Sequence, residues 1–288
     1  MSAKTARRRL FGCHVSAAGG VSRSFQRGFD IGCTVIQIFS KNQKQWSPKP
    51  IDDDEINAYH IEQNRTKISP VIIHDSYLIN LCAGDKTILD KSRRTFADEI
   101  KRADLLNSPY IVFHPGAHGG KGEEWGIKTI AESLNMVIDK FPDSDAGLLL
   151  ETTAGQGTGI GYSFGQLRKI IDLVDERDRI GVCLDTAHVF AAGYDIRTEG
   201  TYDSTFNELV EVLSLDRLKV IHVNDSKKEL GSRVDRHDNL GEGLIGMKAF
   251  ELLVNDERLK DIPMILETPG GETMFRKNLK IMKKLAKI

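Results

Sequence analysis

The chain has 288 residues, with 40 Lys+Arg against 41 Asp+Glu and a formal net charge of −1. That balance excludes a globally basic nucleic-acid coat while leaving room for a local basic patch. With 40% hydrophobic and 28% charged residues the composition is that of an ordinary globule, and the longest apolar runs fall far short of the ~18 residues that a membrane span needs.

Taken in chain order, residues 1–10 carry Lys4 and Arg7 to Arg9 with no apolar h-region behind them, so a flexible, solvated arm is expected rather than a secretory signal. Eight short β-branched, apolar runs follow: Phe11–Ser16, Thr34–Ser40, Pro70–Asp75, Tyr110–Pro115, Gly147–Thr152, Ile180–Thr186, Leu218–Asp225 and Pro263–Thr268. Most are continuously apolar, as parallel strands buried on both faces should be. Between them Asp85–Asn107, Glu124–Lys140, Ser163–Arg177, Tyr202–Ser214, Met247–Val254 and Thr273–Ala286 show helical periodicity. Strands alternating with helices imply right-handed β-α-β units. Eight units predict an α/β fold, a single-domain (β/α)8 TIM barrel over residues 11–288, with its site at the C-terminal ends of the strands. The alternative, an open doubly wound sheet, usually follows its first strand with G-x-G-x-x-G; here that position reads Ala17-Ala18-Gly19-Gly20. The glycine-dense stretch Gly155 to Gly161 reads as a loop needing positive φ or a close approach to a phosphate. Four cysteines without a C-x-x-C pair fit a reduced, cytoplasmic protein.

What ends each run is more telling. Runs three to eight finish on, or just before, His74, His114, Glu151, Asp185 with His188, His222 and Glu267; Asp235 and His237 follow in the loop after run seven. In a barrel these positions share the rim where active sites lie. Singly, each has an ordinary reading as a hydrogen-bonded histidine or a helix-capping carboxylate. Together, four carboxylates converging on one pocket would repel and raise one another's pKa, and divalent cations would remove that problem. Five imidazoles favour zinc over magnesium or calcium. Nine ligands with one bridging carboxylate divide among two or three ions. Asp235 and His237, two apart on an extended segment, face the same side, so one ion could take both. His14, ending the first run, reads chiefly as a supporting residue. His60 and His118 are given no role, Cys183 reads as a packed thiol, and no G-x-S-x-G elbow occurs.

Clustered zinc ions favour hydrolysis of a phosphoester. Three rim loops carry polar and basic groups suited to phosphates or a duplex: Lys41-Asn42-Gln43-Lys44-Gln45-Trp46; Tyr77, Asn80 and Lys86; and Asp225 to Arg236.

The segments His14-Val15-Ser16-Ala17-Ala18-Gly19-Gly20, Phe39-Ser40-Lys41-Asn42-Gln43, His74 to Leu81, His114-Pro115-Gly116, Leu150 to Gly157, Asp185-Thr186-Ala187-His188, His222 to Lys227 and Asp235-Arg236-His237, in this order, closely resemble the endonuclease IV family of apurinic/apyrimidinic endonucleases. The resemblance runs from about Phe11 to the C-terminus. It implies three Zn2+ ions: one held by His74, His114 and Glu151; a second by Glu151, Asp185, His222 and Glu267; a third by His188, Asp235 and His237. The catalytic carboxylates it implies are Glu151 and Glu267. It further implies cleavage of double-stranded DNA 5′ to abasic sites, leaving a 3′-hydroxyl, trimming of blocked 3′ ends, and a DNA-inserting set of Lys44, Gln45 and Tyr77 acting while the abasic nucleotide is flipped out. Position 44 is often Arg in the family; Lys keeps the charge but loses planar stacking. A monomer without membrane contact is expected. Two other readings compete. A sugar-phosphate or ketose isomerase on a related barrel would hold two ions with mostly oxygen ligands, and a noncatalytic DNA-damage binder would show no turnover.

Overall fold

The computed structural model describes residues 9–286; residues 1–8, with Lys4, Arg7 and Arg8 of the expected arm, lie outside the described residues. Arg9 donates to the Asp256 carbonyl at 3.1 Å and pairs with Glu257 at 3.2 Å.

The elements in chain order are β1 (Phe11–His14), α1 (Arg23–Ile31), β2 (Val35–Phe39), α2 (Asp53–Thr66), β3 (Val71–His74), α3 (Lys86–Leu105), β4 (Tyr110–Phe113), α4 (Glu123–Ile138), β5 (Gly147–Glu151), α5 (Phe164–Leu173), β6 (Ile180–Asp185), α6 (Thr186–Ala192), α7 (Glu199–Leu213), β7 (Leu218–His222), β8 (Asp225–Ser226), β9 (His237–Asp238), α8 (Met247–Asn255), β10 (Met264–Leu266) and α9 (Gly271–Leu285). The eight long-range strands close into a parallel barrel in the order β1-β10-β7-β6-β5-β4-β3-β2. The expected (β/α)8 barrel is therefore present, and the open-sheet alternative is excluded. The short strands β8 and β9 stand apart as an antiparallel ribbon between β7 and α8.

Strands are a little shorter than the apolar runs, although the residues just past them still bond to the neighbouring strand: Asp75 N–H to the Val112 carbonyl, Thr152 N–H to that of Cys183 and Val223 N–H to that of Ile265. The six helices read from periodicity are all present. Three others, α1, α2 and α6, lacked a clear signal: α1 and α2 are rich in polar residues, and α6 is only seven residues long and starts directly on the end of β6. Caps explain many of the starts. Asp52, Asp85, Ser163 and Thr198 each accept a backbone N–H from the first turn of the following helix.

The side-chain period of two along a strand sorts the core into two compartments. Residues facing outward, such as Ile73, Phe113, Leu150, Leu184 and Ile221, pack under the helices. Those facing inward, Val35, Ile72, Val112, Leu149, Cys183, Val220 and Ile265, form a fully buried plug inside the barrel. Two residues further along each of these strands, the next inward positions are Gln37, His74, His114, Glu151, Asp185, His222 and Glu267. The polar rim is thus one more layer of the barrel interior, resting on an apolar floor. Gly12 keeps β1 against β2 at floor level, since a Cβ there would lie 1.7 Å from the Val35 carbonyl oxygen.

Candidate metal centre

Glu151 is fully buried at the end of β5 and uses both oxygens. Its Oε2 lies 3.1 Å from His74 Nε2 and 3.1 Å from His114 Nε2. Its Oε1 lies 2.9 Å from His222 Nδ1 and 3.4 Å from His188 Nδ1. One carboxylate therefore serves two donor groups, His74–His114–Glu151 and Glu151–Asp185–His222–Glu267, within each of which the donor atoms lie within 4.8 Å of one another. A third group, Asp185–His188–His237, satisfies the same limit. Asp235 joins it, with Oδ2 3.1 Å from His188 Nε2 and Oδ1 3.3 Å from His237 Nε2. All nine residues singled out in the sequence meet at the rim, and Asp235 and His237 do face the same partner.

The donor set fits divalent cations. Each of the buried imidazoles His74, His188 and His222 has one nitrogen spent on an outer partner, which sets the tautomer and leaves the other aimed at the cluster. His74 Nδ1–H donates to the Asp75 carbonyl at 2.9 Å, so Nε2 faces Glu151. His188 Nδ1–H donates to the Thr152 carbonyl at 2.8 Å, so Nε2 faces Asp235 and His237. His222 Nε2–H donates to Gln37 Oε1 at 2.9 Å, so Nδ1 faces Glu151. Asp185 divides its oxygens: Oδ1 caps α6 through the N–H groups of Ala187 and His188, while Oδ2, held by Asn224 Nδ2 at 2.7 Å, faces His222 and His237. The ordinary capping role of such an aspartate is thus met by one oxygen and leaves the other for the cluster.

Electrostatics agree. Burial opposes charge on both partners, yet Glu151 lifts the His74 imidazole to about 9, and His114 and His222 hold the Glu151 carboxyl well below its usual range. Asp235 is likewise held at about 2, with His188 and His237 outweighing its burial. These carboxylates want positive charge beside them, and the imidazoles can offer it as protons or yield to metal ions.

The site opens into a cleft of about 1150 Å³ bordered by His14, Lys44, Tyr77, His237 and Glu267. Tyr77 is 62% exposed, and its ring lies 5.7 Å from that of His74 and 6.0 Å from that of His114. Lys44 and Gln45 are exposed on the neighbouring loop, which Ser76 ties to the Tyr77 loop by donating to the Gln43 carbonyl at 2.8 Å. The two cations of that loop, Lys41 and Lys44, have different surroundings, and Lys41 does not offer its ammonium to the cleft as a phosphate contact would. Its Nζ is buried, 3.0 Å from Glu99 and 3.2 Å from Asp98, so it fastens the loop to α3 and leaves Lys44 as the cation at the tip. The glycine stretch follows the loop reading: Gly155, Gly157 and Gly161 have positive φ, and Gly159 bridges to Ala117 after β4.

Against known proteins, residues 25–285 match the model of the xylose isomerase-like TIM barrel family. The chain is 51% identical over 280 residues to "Probable endonuclease 4" of Chloroflexus aggregans, covering 96% of this chain and 98% of that protein. It is 45% identical to the protein of the same name from Geotalea daltonii, with the same coverage. The structure superposes on endonuclease IV from Thermus thermophilus with a TM-score of 0.85 at 34% identity, over 96% of this chain and 98% of that one. This chain belongs to the endonuclease IV family. A D-tagatose 3-epimerase-like protein shares the barrel, with a TM-score of 0.74, but at 17% identity the likeness is one of fold alone.

Within this endonuclease IV family member, sequence reasoning missed Gln37, Asn224 and Thr152. Gln37 is fully buried, accepts from His222 and donates to Glu267 Oε1 at 2.7 Å. Asn224 donates to Asp185 and accepts the Glu267 backbone N–H at 2.9 Å. Being uncharged, they carried no metal-ligand signal, although the inward period of β2 marks position 37. His14 takes the supporting place expected of it, its Nδ1–H donating to Glu267 Oε1 at 2.8 Å. Among the described residues no helix is long and apolar enough to cross a membrane.

Proposed function

We propose that this chain is a zinc-dependent DNA-repair endonuclease. It hydrolyses the phosphodiester 5′ to abasic sites in duplex DNA, leaves a 3′-hydroxyl, and trims blocked 3′ ends. The observation that carries the reading is the Glu151 carboxylate shared between two donor groups, with a third abutting them through Asp185. His74, His114 and Glu151 would hold one ion; Glu151, Asp185, His222 and Glu267 a second; His188, Asp235 and His237 a third. The imidazole-rich set suits zinc. When bound, such ions supply charge neutralisation at a phosphodiester and an activated water.

The chain's own residues do the rest. Glu267 borders the cleft, and His14 and Gln37 fix one of its oxygens, orienting the other toward His222. Lys44, Gln45 and Tyr77 stand exposed beside the rim, where a cation, an amide and an aromatic face can enter a minor groove and fill the gap left by a flipped nucleotide. The apolar floor beneath the polar layer closes the site from below. A barrel that carries every one of these groups on a single chain can act as a monomer, and free buried cysteines suit a reducing cytoplasm.

Incubation of the purified protein with a duplex carrying one tetrahydrofuran site, with zinc present and substrate in excess, tests the reading. Multiple-turnover nicking 5′ to the site is expected, with about three zinc ions per chain by elemental analysis. No nicking overturns the proposal, and two magnesium or manganese ions would point to isomerase chemistry. Glu267→Gln should abolish nicking while leaving binding of the same duplex largely intact.

A further inference from the structure

Most of the donors rise from the barrel wall, but Asp235 comes from the excursion between β8 and β9, where its side chain is 40% exposed, and His237 is the first residue of the two-residue β9. The β8–β9 ribbon sets His237 opposite Ser226, but no strand pairing reaches Asp235, so other contacts must bring it in. The segment is stitched at several points. The N–H groups of Gly231 and Arg233 donate to the Phe190 and Ala191 carbonyls at the end of α6, at 3.1 and 2.9 Å. The Asp235 backbone N–H donates to Gln156 Oε1 at 3.1 Å. The Arg233 guanidinium lies 3.8 Å from the centre of the Tyr162 ring.

Gln156 and Tyr162 both belong to the loop that follows Glu151. Gly155 makes room for the stack. Its φ is +74°, and a Cβ there would come within 2.6 Å of Arg233 Nη1 and 2.8 Å of Tyr162 Cβ. Arg233 itself sits at φ 56°, a conformation that a non-glycine residue adopts only when its surroundings hold it. These contacts lie outside all three donor groups, yet they couple the loop after the bridging carboxylate to the segment bearing two of the donors for another ion.

We propose that Gln156, Tyr162 and Arg233 are positioning residues for the Asp235–His237 limb, and that they set the affinity of its ion without affecting the other two. The inference rests on the metal reading given above. Its logic is that of any outer contact that orients a ligand: the limb's donors are of ordinary strength, but their convergence on His188 depends on the stack and the Gln156 hydrogen bond.

The test is a zinc titration of apoprotein against a chromophoric chelator, comparing wild type with Gln156→Ala, Arg233→Ala, Tyr162→Ala and Tyr162→Phe. His237→Ala first identifies the limb's ion. If that variant retains the full metal complement, the metal reading of the limb fails. With the ion so identified, Gln156→Ala, Arg233→Ala and Tyr162→Ala should each weaken it about 10-fold, the other ions should be unchanged, and Tyr162→Phe, which keeps the ring face, should behave as wild type. Wild-type affinity at the limb in the alanine variants overturns the proposal. So does equal weakening of all the ions, or failure of Tyr162→Phe to rescue, since either would mark a general scaffold role.

Discussion

The donors at the barrel wall and those on the β8–β9 limb reach the same centre by different means. Glu151, Asp185 and His222 are fully buried and stand one inward step above an apolar floor, so the packing of the whole barrel fixes their positions. Asp235 and His237 are partly exposed; a two-residue ribbon holds His237, and Asp235 depends on a few local contacts. The difference teaches that precision at one site can have two origins: a strand-borne ligand inherits the rigidity of the core, whereas a loop-borne ligand has only as much as its stitches supply. Even so, Asp225 shows how much a loop can be given. Its carboxylate accepts the N–H groups of Gly241, Gly243 and Ile245 at 2.9, 3.2 and 2.9 Å, which pins the return of the limb to the barrel.

The largest effect should come from the wall. Glu151→Ala removes the one carboxylate that two donor groups share, and it leaves His74, His114 and His222 facing one another without that anion. Nicking should fall to background, and elemental analysis should show loss of two ions with the limb's ion the best retained. Retention of all the metal would break the comparison, because it would mean that the wall donors do not depend on their common member.

The wall was also the more legible region in the sequence. Apolar runs ending in His, Asp or Glu announce both a buried strand and its rim position, so His74, His114, Glu151, Asp185, His222 and Glu267 could be named from the sequence alone. Gln37 sits in the same layer but, being neutral, gave no signal of its own. His188 was legible as a residue near a strand end, though not as part of α6, because a seven-residue helix leaves too short a period to detect. Lys41 shows the converse failure. In sequence it is a cation in a basic loop; in the fold it is buried against Glu99, Asp98 and the Thr95 carbonyl, partners more than 50 residues away. Long-range ion pairing leaves no local pattern to find.

The Lys41 loop offers a second limb on which to sharpen the comparison, since it is held by buried charge rather than by stacking. Arg102 donates to the Ser40 and Lys49 carbonyls at the two ends of the loop, and Ser40 Oγ donates to Glu99 at 2.5 Å. Lys41→Met would leave the fully buried Glu99 without its cation and should cost about 3 kcal/mol of unfolding free energy, the low end for a broken buried pair because Ser40 and Arg102 remain. Burial already lifts the Glu99 pKa even with Lys41 present. A carboxyl whose folded pKa is raised costs stability as pH climbs through that value, and the cost grows when its cation is gone. The deficit in denaturant unfolding should therefore be greatest near neutral pH and shrink as pH is lowered toward the ordinary carboxylate range. A deficit that grows on acidification would mean that Glu99 is not the group left unpaired.

A smaller effect than that of Glu151→Ala should come from a wall contact that belongs to no donor group. Gln37 holds His222 through Oε1 and Glu267 through Nε2, so a single amide orients two donors of one group. Gln37→Leu keeps the bulk but removes both hydrogen bonds, freeing the His222 tautomer and leaving Glu267 tied at that oxygen by His14 alone. Zinc affinity at the Glu151–Asp185–His222–Glu267 group should fall about 10- to 100-fold, with the limb's ion unaffected. Gln37→Glu should do worse than Leu, because it adds a fifth carboxylate beside Glu267 and cannot donate to it when ionised. If Gln37→Leu instead loosens the limb's ion by the same factor, the two regions are not independently positioned. The rigidity of the wall would then reach Asp235 and His237 through Asp185, whose Oδ2 lies 3.7 Å from His237 Nε2.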